Sequence, residues 1–171
     1  MRYATEIRYG AIFAGVVVVY VMLEHFLGFN TTNHAVGQYS RLGGVLVPIL
    51  GVLFGLIAKR RELGFLTFGQ GIKSGFVIAV TQTTLTTIWF LIYPNLINTE
   101  FYSTLLAFER QKLIARGMPE PDIESWIGTL RWMFSFPVQP IFQMIVGVAY
   151  GVVFAGVFSL ILRRKRPQGA S

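Results

Sequence analysis

No cysteine occurs among the 171 residues, which excludes a disulfide framework and thiolate chemistry. Charge is scarce too: 13% of the chain is Asp, Glu, Lys or Arg, against roughly a quarter in a soluble domain. Histidine occurs only at His25 and His34. Neither their spacing nor their surroundings, Glu24 included, make a metal site. No set of nucleophile, base and orienting group is recognisable. The expectation is a non-enzymatic chain with no cofactor and no metal.

Apolar residues are what the chain has in abundance, at 53% hydrophobic and 15% aromatic. They gather into four runs, at about 9–29, 42–58, 68–93 and 137–162. A hydrocarbon core of about 30 Å needs runs of about twenty apolar residues when each contributes 1.5 Å of rise. Only helices and closed barrels satisfy backbone groups in lipid, and a barrel would show alternating segments of about ten residues. The predicted fold is therefore all-α: one integral membrane four-helix bundle spanning the whole chain.

A net charge of +7 raises the question of nucleic acid, and the placement of the basic residues answers it. Arg2 and Arg8 precede the first run, Lys59, Arg60, Arg61 and Lys73 lie between the second and third, and Arg163 to Arg166 follow the fourth. Ten of the fifteen basic residues thus fall on one side. The positive-inside rule makes that side cytoplasmic, with both termini inside the cell's inner membrane and the tail 163–171 against anionic lipid. The partners expected are the bilayer and either a second copy or a larger membrane protein, with no nucleic acid. The first run has no small-x-small cleavage pattern after it and reads as an uncleaved signal anchor.

Between the third and fourth runs, residues 94–136 are of mixed composition and long enough to fold. A helix capped by Asn98 or Thr99 and ending at Gly117 is expected there. A second follows, with Ile123, Trp126, Ile127, Leu130, Met133 and Phe134 at helical spacing opposite Asp122, Glu124 and Arg131. That amphipathic hairpin, placed outside the cytoplasm, suits either the membrane interface or a lid over the bundle.

Small residues four apart recur in every run and permit close backbone approach, which drives helix association where lipid removes the hydrophobic incentive. Gly10, Gly15, Gly51, Gly55, Gly71, Gly75, Gly147 and Gly151 are the packing candidates. The likeness of YGAIFAGV at Tyr9 to YGVVFAGV at Tyr150 reads as this packing solution used twice.

Six of the seven residues from Thr81 to Thr87 are polar, inside an apolar run. The threonines can return their hydroxyls to carbonyls three or four residues back, whereas Gln82 needs a partner on another helix. Counting rise from the outer boundary places Glu24, Thr86, Thr87 and Gln143 at one depth, about 7–10 Å below it. With Arg41 and His25 just above, either able to pair with Glu24, a polar layer of Glu24, Arg41, Gln82, Thr86 and Gln143 results. It reads as bundle-stabilising or, alternatively, as a ligand, ion or proton site. GQGIKSG (residues 69–75) lacks the glycine before Lys73 and the preceding strand of a phosphate-binding loop.

The tyrosine–glycine opening of the first run, LGFLTFGQGIKSG at Leu63 to Gly75, and ERQKLIARGMPEPDIE at Glu109 to Glu124 together resemble a bacterial family of four-span membrane proteins, domain of unknown function 4199. The likeness covers about residues 7–165. It implies an inner-membrane protein and brings no activity, cofactor or catalytic residue with it. In this chain the second span is short for the family, and Pro119 and Pro121 stand among the acidic residues after the helix break. The expectation that follows is an accessory or scaffold subunit of a membrane assembly, the alternative a small transporter or channel subunit.

Overall fold

The computed structural model describes residues 3–163, so Arg2 and the basic residues from Arg164 to Arg166 lie outside the described residues. Among the described residues are six α-helices: α1 (Ala4–Phe26), α2 (His34–Leu63), α3 (Phe68–Ile92), α4 (Phe101–Ala115), α5 (Glu120–Met133) and α6 (Val138–Leu162). Four segments, Ala4–Phe26, His34–Leu63, Phe68–Ile97 and Val138–Leu162, are long and apolar enough to cross a membrane. An even number of such helices in succession leaves Tyr3 and Arg163 at one end of the bundle, the termini end, and the α4–α5 hairpin at the other.

The helices outrun the apolar segments that announce them. The α2 helix is 30 residues long rather than short. Residues 34–41, expected to be loop, form its first turns. Asn33 starts it by accepting from the Val36 N–H at 3.3 Å, and Gly64, at φ +73°, ends it in a left-handed conformation that costs glycine little. The α1 helix likewise begins five residues before its apolar run. Thr67 and Gln70 form a reciprocal capping box at the start of α3. At the other end of α3, Pro94 has no N–H to donate, and the chain widens into a π-helical turn over Tyr93–Ile97.

The α2 and α3 helices each touch both α1 and α6 as well as each other, giving a diamond cross-section with α1 and α6 at the far corners. The closest contact is a small-residue zipper between α3 and α6. A Cβ built on Gly71 would lie 2.0 Å from Ser159 Oγ, one on Gly75 2.1 Å from the Ala155 Cβ, one on Gly151 2.3 Å from the Ala79 Cβ, and one on Gly147 2.7 Å from Thr83. Positions four apart on one helix thus meet positions four apart on its antiparallel neighbour. Gly10 lies against Thr81 and Ile78 of α3, Gly51 against Phe13 and Gln82, and Gly55 against Ile78 and Tyr9. Gly15 departs from the expectation: nothing lies within 4 Å of where its Cβ would be, because it falls on the outward face of α1.

The hairpin packs mainly on itself. Leu113 of α4 meets Ile123 and Ile127 of α5, with Leu106 and Leu130 around them, and Arg110 closes the outside with ion pairs to Glu120 and Glu124. The apolar stripe of α5 therefore serves α4, while Trp126 and Trp132 stand out from it, 51% and 63% exposed. Helix α4 starts at Phe101 after Glu100, slightly later than the Asn98 or Thr99 cap predicts. Asn98 instead donates its amide to the Asn30 carbonyl at 2.8 Å and to the Tyr93 hydroxyl at 3.1 Å. Tyr102 donates to Gln139 Oε1 of α6 at 2.7 Å. Burial pushes the Tyr102 phenol above its ordinary pKa, and that hydrogen bond draws it partly back. Since this small core is separate from the bundle's, Ile127→Ala is expected to cost about 2–5 kcal/mol locally. Hydrogen exchange should rise across residues 101–133 with the spans unchanged. Equal loss of protection in α1 to α3 would show that the hairpin and bundle open as one unit.

Candidate functional site

Five residues of the expected polar layer, Glu24, Arg41, Gln82, Thr86 and Gln143, line one cavity of about 540 Å³ inside the bundle. Its wall is drawn from α1, α2, α3 and α6, and Phe101 at the start of α4 contributes to it beside Tyr93. The hairpin thus covers this end of the bundle with its first turn. From Arg41 to Val52, the outermost and innermost residues that α2 contributes, the helix rises about 16 Å. Glu24, Asn30 and Arg41 hold the hairpin end of that length, whereas Gln82 sits deep, against Gly51, one residue from Val52. Apart from Gln82 and Thr83 the inner half is apolar, formed by Ile49, Val52, Ala79 and Phe154.

Two features give the cavity a direction. Below it, Leu56, Leu66, Ile78 and Ala155 form a core with Val52, all of them buried, which closes the passage toward the termini end. On its side, Val45 of α2 and Tyr150 of α6 line the cavity and are themselves exposed. The exposed flank of the cavity is therefore the one between α2 and α6, a face that would meet lipid. Pro48 sits on this wall, and without an N–H it leaves the carbonyl of Gly44, also on the wall, without its helical donor.

The hydrogen bonds differ from those the depth count suggests. Glu24, 4% exposed, accepts from Asn30 Nδ2 at 3.1 Å, rather than pairing with His25 or Arg41. His25 instead shares a hydrogen bond with Tyr93 at 3.1 Å. Arg41 points an Nη2–H at His34 Nδ1, 3.1 Å away, and His34 Nε2 meets Thr104 Oγ1 of α4 at 2.9 Å. The reason lies in the turn after α1: Gly28, at φ +78°, folds the chain back and carries Asn30 under the helix end. Asn30 is thereby buried, its amide committed to Glu24 and closed to the glycan its NTT sequence would formally permit.

Three buried polar atoms around the cavity have no partner among the described residues: Glu24 Oε1, Arg41 Nε and Gln82 Nε2. The Gln82 oxygen lies against Gly51 of α2, where a Cβ would stand 2.8 Å away, and its amide nitrogen is left bare. Thr86 returns its hydroxyl to the carbonyls of Gln82 and Thr83 at 3.0 and 3.1 Å. The same is not recorded for its neighbours: Thr84 contacts the Met144 sulfur at 4.0 Å, and Thr87 Oγ1 is buried and unpaired. Buried polar groups in folded proteins are overwhelmingly satisfied, so the two exceptions at the hairpin end of the cavity, Glu24 Oε1 and Arg41 Nε, are informative.

A second polar cluster lies at the termini end and is not foreseen from the apolar runs. Glu6, completely buried, accepts from Ser74 Oγ at 2.8 Å and faces Lys59 Nζ at 3.3 Å. Lys59 also reaches Glu62 at 3.2 Å, and Glu62 accepts from Thr5 at 2.7 Å. Lys59 is thus not a free basic marker of membrane orientation but one member of a network joining α1, α2 and α3.

Four long apolar helices packed through small residues, with a polar cavity between them, define a multi-pass helical membrane protein. More particularly, the chain belongs to the family described as protein of unknown function (DUF4199), whose model matches residues 8–164. Nothing among the curated proteins or the solved structures matches it.

Proposed function

We propose that the protein is a non-enzymatic, membrane-embedded binding protein or small carrier that holds an amphipathic molecule in its bundle cavity. The observation that carries this reading is the coincidence of two unpartnered buried polar atoms at the hairpin end, Glu24 Oε1 and Arg41 Nε, with a cavity whose inner half is mostly apolar, Gln82 and Thr83 aside. A volume of about 540 Å³ falls in the range of about 300–1,000 Å³ that small-molecule sites occupy. The apolar core below it favours a blind pocket over a through-channel, and the side opening suits a molecule arriving from the bilayer. Residence in an inner membrane with both termini cytoplasmic belongs to the same proposal, supported by the basic residues at one end and by the hairpin at the other.

An accessory or scaffold role is the second reading, with a second copy or a larger membrane protein as partner. Helix α6 favours it, since only 11% of its apolar stretch is buried within the bundle. Lipid satisfies the same face, so the cavity weighs more.

Native mass spectrometry of protein extracted in mild detergent separates the two. A retained small-molecule adduct is expected, lost in Ile49→Trp, which fills the apolar half. A bare polypeptide mass, together with no saturable binding of a dansyl-labelled lysolipid, would overturn the binding reading in favour of the scaffold.

A further inference from the structure

Resting on the binding reading, we infer that the cavity selects a zwitterionic amphiphile whose head carries a primary ammonium close to a phosphate, as in a phosphoethanolamine lipid. Glu24 and Arg41 line the same cavity with opposite charges, yet neither forms an ion pair among the described residues. Lys59, Arg110 and Lys112 all have carboxylate partners. Glu24 keeps Oε1 bare, and Arg41 keeps Nε bare. Its Nη2 donates to His34 Nδ1, which leaves that imidazole accepting, neutral, and unable to balance the guanidinium.

Glu24 and Arg41 attract each other across the cavity, but that attraction fills neither free hydrogen-bonding position, and a buried polar atom left without a partner is costly. The two positions are satisfied together by a molecule that bridges them. An ammonium offers N–H donors to Glu24 Oε1. A phosphate oxygen accepts from Arg41, whose planar guanidinium is suited to phosphate. A cation alone would leave Arg41 Nε bare, and an anion alone would leave Glu24 Oε1 bare. A soluble zwitterion would match both but leave Ile49, Val52 and Phe154 facing empty space. The Glu24 and Arg41 end lies toward the hairpin, where lipid headgroups would be, and the mostly apolar inner half points toward the bilayer middle.

Three lysolipids with the same acyl chain test the assignment on the purified wild-type protein, together with free phosphoethanolamine. The ethanolamine form is expected to bind at least about tenfold more tightly than the choline form, which has no N–H to donate, and than the glycerol form, which has no cation. Free phosphoethanolamine should displace it only at far higher concentration. In Glu24→Gln the preference over the glycerol form should fall to within about twofold. Equal binding of all three lysolipids, or tighter binding of the glycerol form, overturns the headgroup assignment and leaves the binding reading intact. Displacement by the free headgroup at lysolipid concentrations overturns the amphiphile. No binding of any of them overturns the binding reading itself. The wild-type comparison decides the headgroup even if Glu24→Gln does not fold.

Discussion

Gly75→Val is expected to prevent the bundle from assembling, with little or no monodisperse protein recovered in detergent, whereas Gly15→Val should behave as wild type. Both glycines belong to small-residue pairs four apart in apolar helices, and sequence alone gives them equal standing. Their surroundings separate them. The Cβ of any residue at position 75 would stand 2.1 Å from the Ala155 Cβ and 3.4 Å from its Cα. No flexible side chain is available to move aside, so the helices themselves must part. Overpacking a well-filled core costs about 1–3 kcal/mol even where side chains can repack. Parting α3 from α6 also opens the contacts at Gly71, Gly147 and Gly151, so the loss should exceed that range. Position 15 meets nothing within 4 Å, and a valine there should change stability by no more than about 0.5 kcal/mol. Thermal unfolding of the detergent-solubilised variants reads both. A Gly75→Val protein with the wild-type midpoint would mean that α3 and α6 are not in close register. That would also unseat the cavity, because the same register places Gln143 on α6 in the wall that holds Gln82 and Thr86 on α3.

The four spans were legible because lipid imposes a composition on whatever crosses it, and no other signal competes with that. Their ends were not, because helices continue into polar surroundings where hydropathy falls silent: residues 34–41 are helical, and so is Glu6. Counting rise along rigid rods brought Glu24, Thr86 and Gln143 to one cavity, but it also counted Thr87, which does not line it, and it left out Gln82, which lies deeper, against Gly51. Which atoms bond to which was not legible, because the count carries no information about loops, and a seven-residue turn between α1 and α2 delivers Asn30 to Glu24. Glu6 had a signal that went unused. Glu6, Gly10, Ala14, Val17, Val21 and Glu24 are the buried residues of α1, a stripe at steps of three and four. Continuing the small-residue face back from Gly10 by one turn arrives at a carboxylate.

That carboxylate carries the other large prediction. Lys59→Met should destabilise the bundle by about 3–5 kcal/mol, because it leaves Glu6 charged, buried and held by one hydroxyl. The ammonium lies 3.3 Å from Glu6 Oε1, Ser74 is the one other donor to the carboxylate among the described residues, and Oε2 already has no partner. Glu6→Gln should cost less, since an amide oxygen still accepts from Ser74 and Lys59, with its side chain still 11% exposed, retains Glu62. The double variant Glu6→Gln with Lys59→Met removes both charges at once and should recover most of what the single Lys59→Met loses. The coupling energy of that cycle should fall in the range of about 1–3 kcal/mol seen for residues in direct contact. A surface ion pair would behave differently, with each change within about 1 kcal/mol and salt abolishing the difference. Unfolding midpoints at low and high salt therefore distinguish a buried joint between α1, α2 and α3 from a solvated one. Additive effects that vanish in salt would assign Lys59 back to the role its position in the sequence suggests, a basic residue facing the water. If the joint is buried, loss of Lys59 should leave the proposed lysolipid binding at the hairpin end unchanged below the melting temperature, because Leu56, Leu66 and Ile78 lie between the two clusters.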